Sequence, residues 1–334
     1  MTALRVAVTG ATGGIGRPFV RHLEAIADVG EIRAMARRSI APSKHGWTRT
    51  TFVRGDVTNP KDVRGLVEGV DVVVHLAFLI FGDRRATRAT NLQGSKTVFG
   101  AAVAAGCRRI VYTSSVAAYR FQANPPRTLT EGTPACGTTE FYYSAQKAEL
   151  ERALEVAVRN RGVEAYVFRP SLVGGPEAYA PLHILPQLRL ATDLPVTLPL
   201  GPLKILPDFG NAFQLVHVDD VATALCAGVV GAGRPGLYNL AAPGVVTMTD
   251  IAHALGWRAI RLPRAAIAFA AGIDRRLPFS LGLSDWTDVL KVPVIMATDK
   301  AQFELGWQPR RDVATTLRET VDGARATGLP GLGR

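Results

Sequence analysis

Two residue pairings in this 334-residue chain could do chemistry. The first is Tyr143-Ser144-Ala145-Gln146-Lys147, which puts a phenol and an ammonium four positions apart. On a helix those side chains are neighbours on one face. A cation beside a phenol is expected to lower its pKa from about 10 towards neutrality, so that it can exchange a proton with a carbonyl or alcohol. Upstream, Thr113-Ser114-Ser115 offers three adjacent hydroxyls to hydrogen-bond the same oxygen and steady developing charge. Tyr142 has no lysine four residues on, which leaves Tyr143 as the proton carrier. On an exposed helix face the pair would be inert.

The second pairing is between glycines and an anion. The run Thr9-Gly10-Ala11-Thr12-Gly13-Gly14-Ile15-Gly16 follows an apolar strand-like segment and opens a helix-like one. Gly10 suits a sharp turn off the strand, Gly13 a close backbone approach to a pyrophosphate, and Gly16 tight packing of helix on strand. The helix N-terminus then faces the phosphates, with Thr12, Gly14 and Ile15 completing the cradle. A carboxylate is usual at the end of the second strand of an NAD site. Here stands Ala34-Met35-Ala36-Arg37-Arg38, with two guanidiniums and no acid. Arg37 or Arg38 could hold a 2′-phosphate in a bidentate grip, which points to NADP; as solvated loop charges they would have no such role.

These residues need a scaffold that brings strand ends together. Strand-like runs at Arg5–Thr9, Glu31–Ala36, Thr50–Val53, Asp71–Ala77, Arg109–Thr113 and Val163–Arg169 alternate with helical stretches at Gly14–Ala27, Asn59–Val67, Ala86–Ala105 and Phe141–Asn160. Asn59-Pro60 reads as an N-cap followed by proline at the first helical position. Such βα alternation predicts an α/β fold with a doubly wound parallel sheet, whose ligands bind at the carboxyl edge. After Pro170 the texture changes. Residues 171–210 are rich in Pro, Leu and Gly; a strand is expected at Gln214–Val218, a helix at Asp220–Val230 and a short strand at Leu237–Leu240. The division expected is a dinucleotide-binding core at 1–170 with returns at about 211–241. Residues 171–210 and 242–327 then form a smaller, mostly C-terminal substrate lobe.

The wide glycine spacing, the hydroxyl run and Tyr143-x-x-x-Lys147 together resemble the short-chain dehydrogenase/reductase superfamily, whose fold is of the Rossmann type. Phe168-Arg169-Pro170, Leu215-Val216-His217-Val218-Asp219-Asp220-Val221-Ala222, Leu237-Tyr238-Asn239-Leu240 and Leu305-Gly306-Trp307-Gln308-Pro309 extend the resemblance to its extended, epimerase/dehydratase-like branch. The resemblance implies Ser115, Tyr143 and Lys147 as the catalytic set, with Lys147 also holding the nicotinamide ribose. It places Asp56-Val57 near the adenine, although Asp56 beside Gly55 also fits a plain turn. It places Leu76-Ala77 along the adenosine ribose, the backbone near Pro170 against the nicotinamide, and Asn91 of Asn91-Leu92-Gln93-Gly94 as a support through water or as a structural helix residue. His75 is read as structural. Residues 32–37 resemble the matching strand of NADP-dependent reductases of the dihydroflavonol reductase type.

The implied activity is an NADP-dependent oxidoreductase acting on a carbonyl or secondary alcohol. The alternatives are an NAD-dependent sugar-nucleotide epimerase and a non-catalytic dinucleotide-binding regulatory protein. Against the epimerase, Phe213-Gln214-Leu215 stands where those enzymes usually carry a pyrophosphate-binding arginine. Sugar-nucleotide dehydratases place acids beside the catalytic hydroxyl, and Ser114-Ser115-Val116 has none. The expected specificity segment, 174–207, is rich in Leu, Pro and Ile, which suggests an apolar pocket.

Composition bounds the rest. A chain that is 47% hydrophobic and 20% charged is globular rather than disordered. Three scattered cysteines make neither a disulfide framework nor a metal pair, as fits a reducing cytoplasm. No histidine pair has ligand spacing, so no metal is expected. The net charge of +11 is dispersed in pairs such as Arg37-Arg38 and Arg108-Arg109, unlike the stripe of a nucleic-acid binder. No apolar run is long enough to span a bilayer. Residues 261–276, apolar with basic ends, read as a packed helix rather than a membrane contact. The expected partner is a small-molecule substrate, with a homodimer possible.

Overall fold

The structure is a computed structural model that describes residues 3–80, 84–120, 128–139, 141–179, 182, 204–208, 210–263, 293–329 and 332. Most of the expected specificity segment (180, 181 and 183–203) and most of 261–276 lie outside these residues.

Seven parallel strands form the central sheet: β1 (Leu4–Thr9), β2 (Val29–Ala36), β3 (Thr50–Arg54), β4 (Val72–His75), β5 (Arg109–Thr113), β6 (Glu164–Pro170) and β11 (Gly236–Leu240). Their order is β11-β6-β5-β4-β1-β2-β3, so the order in which strands are added reverses between β1 and β4. Near-continuous apolar runs suit strands covered on both faces: Val72, Val73 and Val74 are all fully buried. On one face Val6, Val8, Val111 and Phe168 pack with Phe19 and Leu23 of α1 (Gly16–Glu24) and with Val221 and Leu225 of α6 (Val218–Val230). On the other, Ala7, Val73, Ile110 and Tyr112 meet α2 (Pro60–Val67), α4 (Ser95–Ala104) and α5 (Tyr142–Val158). This is the doubly wound α/β sheet that the alternation predicts.

Local signals explain the element ends. The Asn59 side chain accepts the Lys61 N–H at 3.0 Å and caps α2, with Pro60 at the first helical position. The expected single helix from Ala86 to Ala105 is interrupted. A short α3 (Arg84–Arg88) runs into a π turn (Ala89–Gly94) before α4. The wider turn accompanies an inward-facing, fully buried Asn91. The strand expected at Gln214–Val218 is shorter, β10 (Leu215–His217), and pairs with β7 (Leu172–Gly174) rather than with the central sheet. The helix after it starts at Val218 because the His217 ring accepts the Asp219 N–H at 3.1 Å.

The later segments build a separate apolar cluster. It joins β8 (Ile205–Asp208), β9 (Ala212–Phe213), β12 (Val246–Thr247), α7 (Met248–Leu255), β13 (Arg258–Arg261) and α9 (Val313–Ala326) around Leu206, Phe213, Met248, Leu255, Trp257 and Leu317. A capping box between Thr247 and Asp250 starts α7. α8 (Asp299–Leu305) packs beside β11. Among the described residues no helix is long and apolar enough to cross a membrane, and no cluster of acids, histidines and cysteines could hold a metal ion.

Candidate active site

The glycine turn leaves β1 at the sheet's carboxyl edge, beside the reversal between β1 and β4. Gly10 sits at φ +74°, where a Cβ would come 2.6 Å from the Ala77 nitrogen, so both conformation and space exclude a side chain. A Cβ on Gly16 would lie 2.2 Å from the Gly10 carbonyl oxygen, so α1 is pressed against the turn. Gly13 is exposed, Thr12, Gly14 and Ile15 are half-exposed, and no side chain caps α1. The Arg17 N–H turns back to the Gly13 carbonyl at 3.1 Å, and the N–H groups of Gly14, Ile15 and Gly16, which have no partner among the described residues, are left to an outside acceptor, the condition for an anion cradle. Leu76 and Ala77 border the turn, Leu76 donating to the Thr9 carbonyl at 3.1 Å. These residues fit a dinucleotide pyrophosphate.

Arg37 and Arg38 lie just past β2, exposed and without an ion pair or hydrogen bond among the described residues. Asp56 serves a turn: its carboxylate accepts the N–H and hydroxyl of Thr58, both at 2.8 Å, and its own N–H donates to Asp62 at 2.9 Å. Val57 is buried against Gly94. Pro170 closes β6 in register with Leu240, and the next hydroxyl, Ser171, is buried with no hydrogen-bond partner among the described residues.

The three expected reacting groups come together where β5 ends against α5. Of the adjacent hydroxyls, Ser115 is the one near enough to the Tyr143 phenol to favour its ionisation, while Ser114 donates to Glu151 at 2.5 Å and the Thr113 hydroxyl is buried with no hydrogen-bond partner among the described residues. Ser115 also accepts the Ala117 N–H at 3.1 Å, which fixes the turn that carries it. Lys147 is buried, its Nζ donating to the Thr113 carbonyl at 2.8 Å and to the Tyr112 hydroxyl at 3.4 Å.

The electrostatics correct one expectation. Tyr143 is half-buried, and desolvation pushes its phenol up to about 12 despite the opposing influence of the Ser115 hydroxyl. Lys147 does not acidify it here. Its Nζ sits 3.8 Å from the Phe78 ring centroid and 5.9 Å from that of Tyr143. Burial pulls Lys147 itself down to about 7, opposed by the charge of Glu151. Tyr143 is therefore a protonated phenol at neutral pH, suited to giving a proton.

Asn91 is tied off rather than open. Its side chain bonds the Leu79 N–H (2.8 Å) and carbonyl (2.9 Å) and the Gln146 amide oxygen (2.8 Å), so it pins the β4 loop to α5 beside Lys147. His75, fully buried, bonds the hydroxyls of Thr9 and Ser95, both at 2.7 Å, as a structural residue would. Three contributors were missed in the sequence. Phe78 stands edge-on to Tyr143 at 5.3 Å and under Lys147. The buried pair Glu151–Arg169 lies one helical turn past Lys147. Their signal was Glu151 itself, which continues the Tyr143, Lys147 stripe at the next i+4 position. Phe78 had no signal beyond its place after Leu76-Ala77.

A sequence profile of the NAD dependent epimerase/dehydratase family matches residues 6–241, more than half of the chain, from the first strand to the last strand of the sheet. The chain belongs to that family. This epimerase/dehydratase-family protein is 28% identical to a dTDP-glucose 4,6-dehydratase of Streptomyces antibioticus, over 96% of this chain and 92% of that one. It is 29% identical to a 2-alkyl-3-oxoalkanoate reductase of Shewanella oneidensis, over 65% of this chain and 54% of the reductase. Its fold matches a solved dTDP-glucose 4,6-dehydratase of Streptomyces venezuelae with NAD bound, at a TM-score of 0.71, 24% identity and 97% coverage of both chains. Dehydratases and reductases are thus both among its relatives. The family protein is an NAD(P)-dependent enzyme of the short-chain dehydrogenase/reductase type.

Proposed function

We propose that this enzyme is an NADP-dependent oxidoreductase acting on a carbonyl or secondary-alcohol substrate of apolar character. The observation that carries the reading is the meeting of Ser115, Tyr143 and Lys147 at the sheet edge that also holds the glycine turn. When bound, the dinucleotide supplies or accepts a hydride. Tyr143 gives the substrate oxygen its proton in reduction and takes it back in oxidation. Ser115 hydrogen-bonds that oxygen and steadies its developing charge. Lys147 supplies a cation beside the phenol and donors for the nicotinamide ribose. Gly10, Thr12, Gly13, Gly14, Ile15 and Gly16 hold the pyrophosphate, Asp56, Val57, Leu76 and Ala77 flank the adenosine, and Pro170 bounds the nicotinamide. Asn91 acts through the loop it pins.

Two features favour the finer reading. Arg37 and Arg38 are exposed cations, unpaired among the described residues, in the place where an NAD site usually presents an acid. Beside Ser115, the residues Val116, Tyr119, Leu129, Ala241, Val294 and Met296 form an apolar cluster, and the Gln214 amide is spent on the Met296 backbone at 2.7 and 3.4 Å. That leaves position 214 no cation for a nucleotide-sugar pyrophosphate. A core of 1–170 with 211–241 would then hold the dinucleotide, and 171–210 with 242–327 the substrate.

The match over nearly the whole length of a dTDP-glucose 4,6-dehydratase favours a second reading, an NAD-dependent sugar-nucleotide enzyme such as an epimerase. Fluorescence titration with NADPH and NADH separates the two. Each charged hydrogen bond to a 2′-phosphate is worth about 1.5–3 kcal/mol, so Arg37→Ala with Arg38→Ala should weaken NADPH binding roughly tenfold or more and leave NADH unchanged. NAD that co-purifies, with no loss in the double variant, supports the sugar-nucleotide reading instead. Tyr143→Phe should lower kcat by at least ~100-fold while cofactor still binds; full activity in that variant defeats the mechanism.

A further inference from the structure

Under the proposed reacting groups lies a buried ion pair to which the reaction as described gives no part. The Glu151 side chain is 8% exposed and that of Arg169 2%. Arg169 Nε donates to Glu151 Oε1 at 2.9 Å and its Nη2 to Oε2 at 2.5 Å. The remaining acceptor capacity of Oε1 takes the Ser114 hydroxyl at 2.5 Å. One carboxylate therefore joins three elements: α5, which carries Tyr143 and Lys147; the end of β5, which carries Ser115; and β6, which ends at Pro170. The Arg169 guanidinium also lies 4.5 Å from the Tyr119 ring centroid, and the Tyr119 hydroxyl reaches Asn239 of β11 at 2.8 Å. The chain thus ties the reacting edge to the apolar cluster beside Ser115.

Two charges taken out of water contribute little to stability on balance, and apolar replacements of such pairs are often neutral. Placement is a better account of this one. Ser114 is bound by Glu151 and directly precedes the serine that meets Tyr143, so the distance between the β5 end and α5 is set at this carboxylate.

We infer that Glu151, locked by Arg169, is a positioning residue that holds the Ser115 turn against α5 and supplies the counter-charge for Lys147. This rests on the reading of Ser115, Tyr143 and Lys147 as the reacting set. The titratable and charged groups around Lys147 are Tyr143 and Glu151 from its own helix, Tyr112 from β5 and His75 from β4, with Arg169 of β6 beyond Glu151. His75 is neutral and both phenols are protonated at neutral pH, which leaves Glu151 as the anion of the group. The carboxylate opposes the burial that draws Lys147 down to about 7.

The test is to titrate Lys147 directly. Protein carrying 13C at the lysine ε carbons shows seven lysines, and Lys147→Arg identifies the signal that belongs to position 147. Glu151→Gln keeps a carbonyl for Ser114 and Arg169 but removes the charge. It should lower the Lys147 midpoint by about half a pH unit or more and move the alkaline loss of kcat to correspondingly lower pH. The double variant Glu151→Leu with Arg169→Met leaves no buried charge unpaired, and so keeps the test open should the single variant fail to fold. It removes the Ser114 tie without a net change of charge, and should reduce kcat about tenfold or more while NADPH still binds. An unchanged Lys147 midpoint in Glu151→Gln, or wild-type kcat in the double variant, overturns the inference. Tyr143→Phe run alongside separates the two failures: full turnover there sinks the proposed reaction, whereas the lysine midpoints still report on Glu151.

Discussion

His75 illustrates how the core dictates chemistry one side chain at a time. Enclosed by the sheet and α4 and bonded at both ring nitrogens, it is held neutral. Burial, helped by the nearby charge of Lys147, draws it down to about 3. The unfolded chain binds that proton near pH 6.5. Between these values only the unfolded state takes it up, so stability falls as the pH drops below about 6.5, with a slope contribution of about 1.4 kcal/mol per unit. Urea midpoints from pH 7 to 5 should show this slope, and His75→Gln should lower stability at pH 7 but flatten the slope; equal slopes in the two proteins would be against it. The same logic was hidden in the sequence for Tyr143 and Lys147. Their spacing told that they are neighbours, but not that Nζ turns to the Thr113 carbonyl and Phe78, nor that burial, not the neighbouring cation, governs the phenol. Desolvation depends on every element around a group, and spacing reports on one.

At the level of elements, the glycine turn is the most legible feature. Its glycines answer to close backbone approaches, and the approach at Gly16 is the closest, with its would-be Cβ 2.2 Å from the Gly10 oxygen. Gly16→Ala must push α1 away from β1. It should cost about 1–3 kcal/mol and weaken NADPH binding in a fluorescence titration more than it lowers the urea midpoint would suggest; wild-type affinity would show that the turn does not hold the dinucleotide. Helix boundaries were legible where a cap marks them, as at Asn59-Pro60, and wrong where a tertiary partner intervenes. The π turn at Ala89–Gly94 accompanies the bonds of Asn91 to Leu79 and Gln146, residues 12 and 55 positions away, and no local period announces it. The strand expected at Gln214–Val218 is present as β10, but its partner was not legible: three apolar residues fit any sheet, and pairing with β7 is a matter of what lies beside them.

Across the whole molecule, the C-terminal segments are fastened to the sheet by a few buried polar ties. Asp220, 1% exposed at the start of α6, accepts the N–H groups of Arg310 and Arg311 at 3.0 and 3.2 Å, and its carbonyl accepts the Trp307 indole at 2.8 Å. Gly323 of α9 packs so closely on Pro176 that a Cβ would come 2.4 Å from its backbone. Asp220→Ala removes the charged acceptor of two part-buried N–H groups and should cost about 1.5–3 kcal/mol, seen as a lower urea midpoint together with faster proteolysis around residues 306–312. Unchanged midpoint and cleavage would mean that water replaces the carboxylate at no cost. Sequence alone determined the βα alternation, the carboxyl-edge location of the glycine turn and the Tyr143–Lys147 face, because each follows from local period, turn chemistry or helical spacing. Tertiary structure decided the rest: which hydroxyl meets Tyr143, the neutral His75, the Glu151–Arg169 pair and the partner of β10. Those depend on which distant segments exclude water from a side chain or meet its hydrogen-bonding groups, and that is settled only when the sheet and its helices close around them.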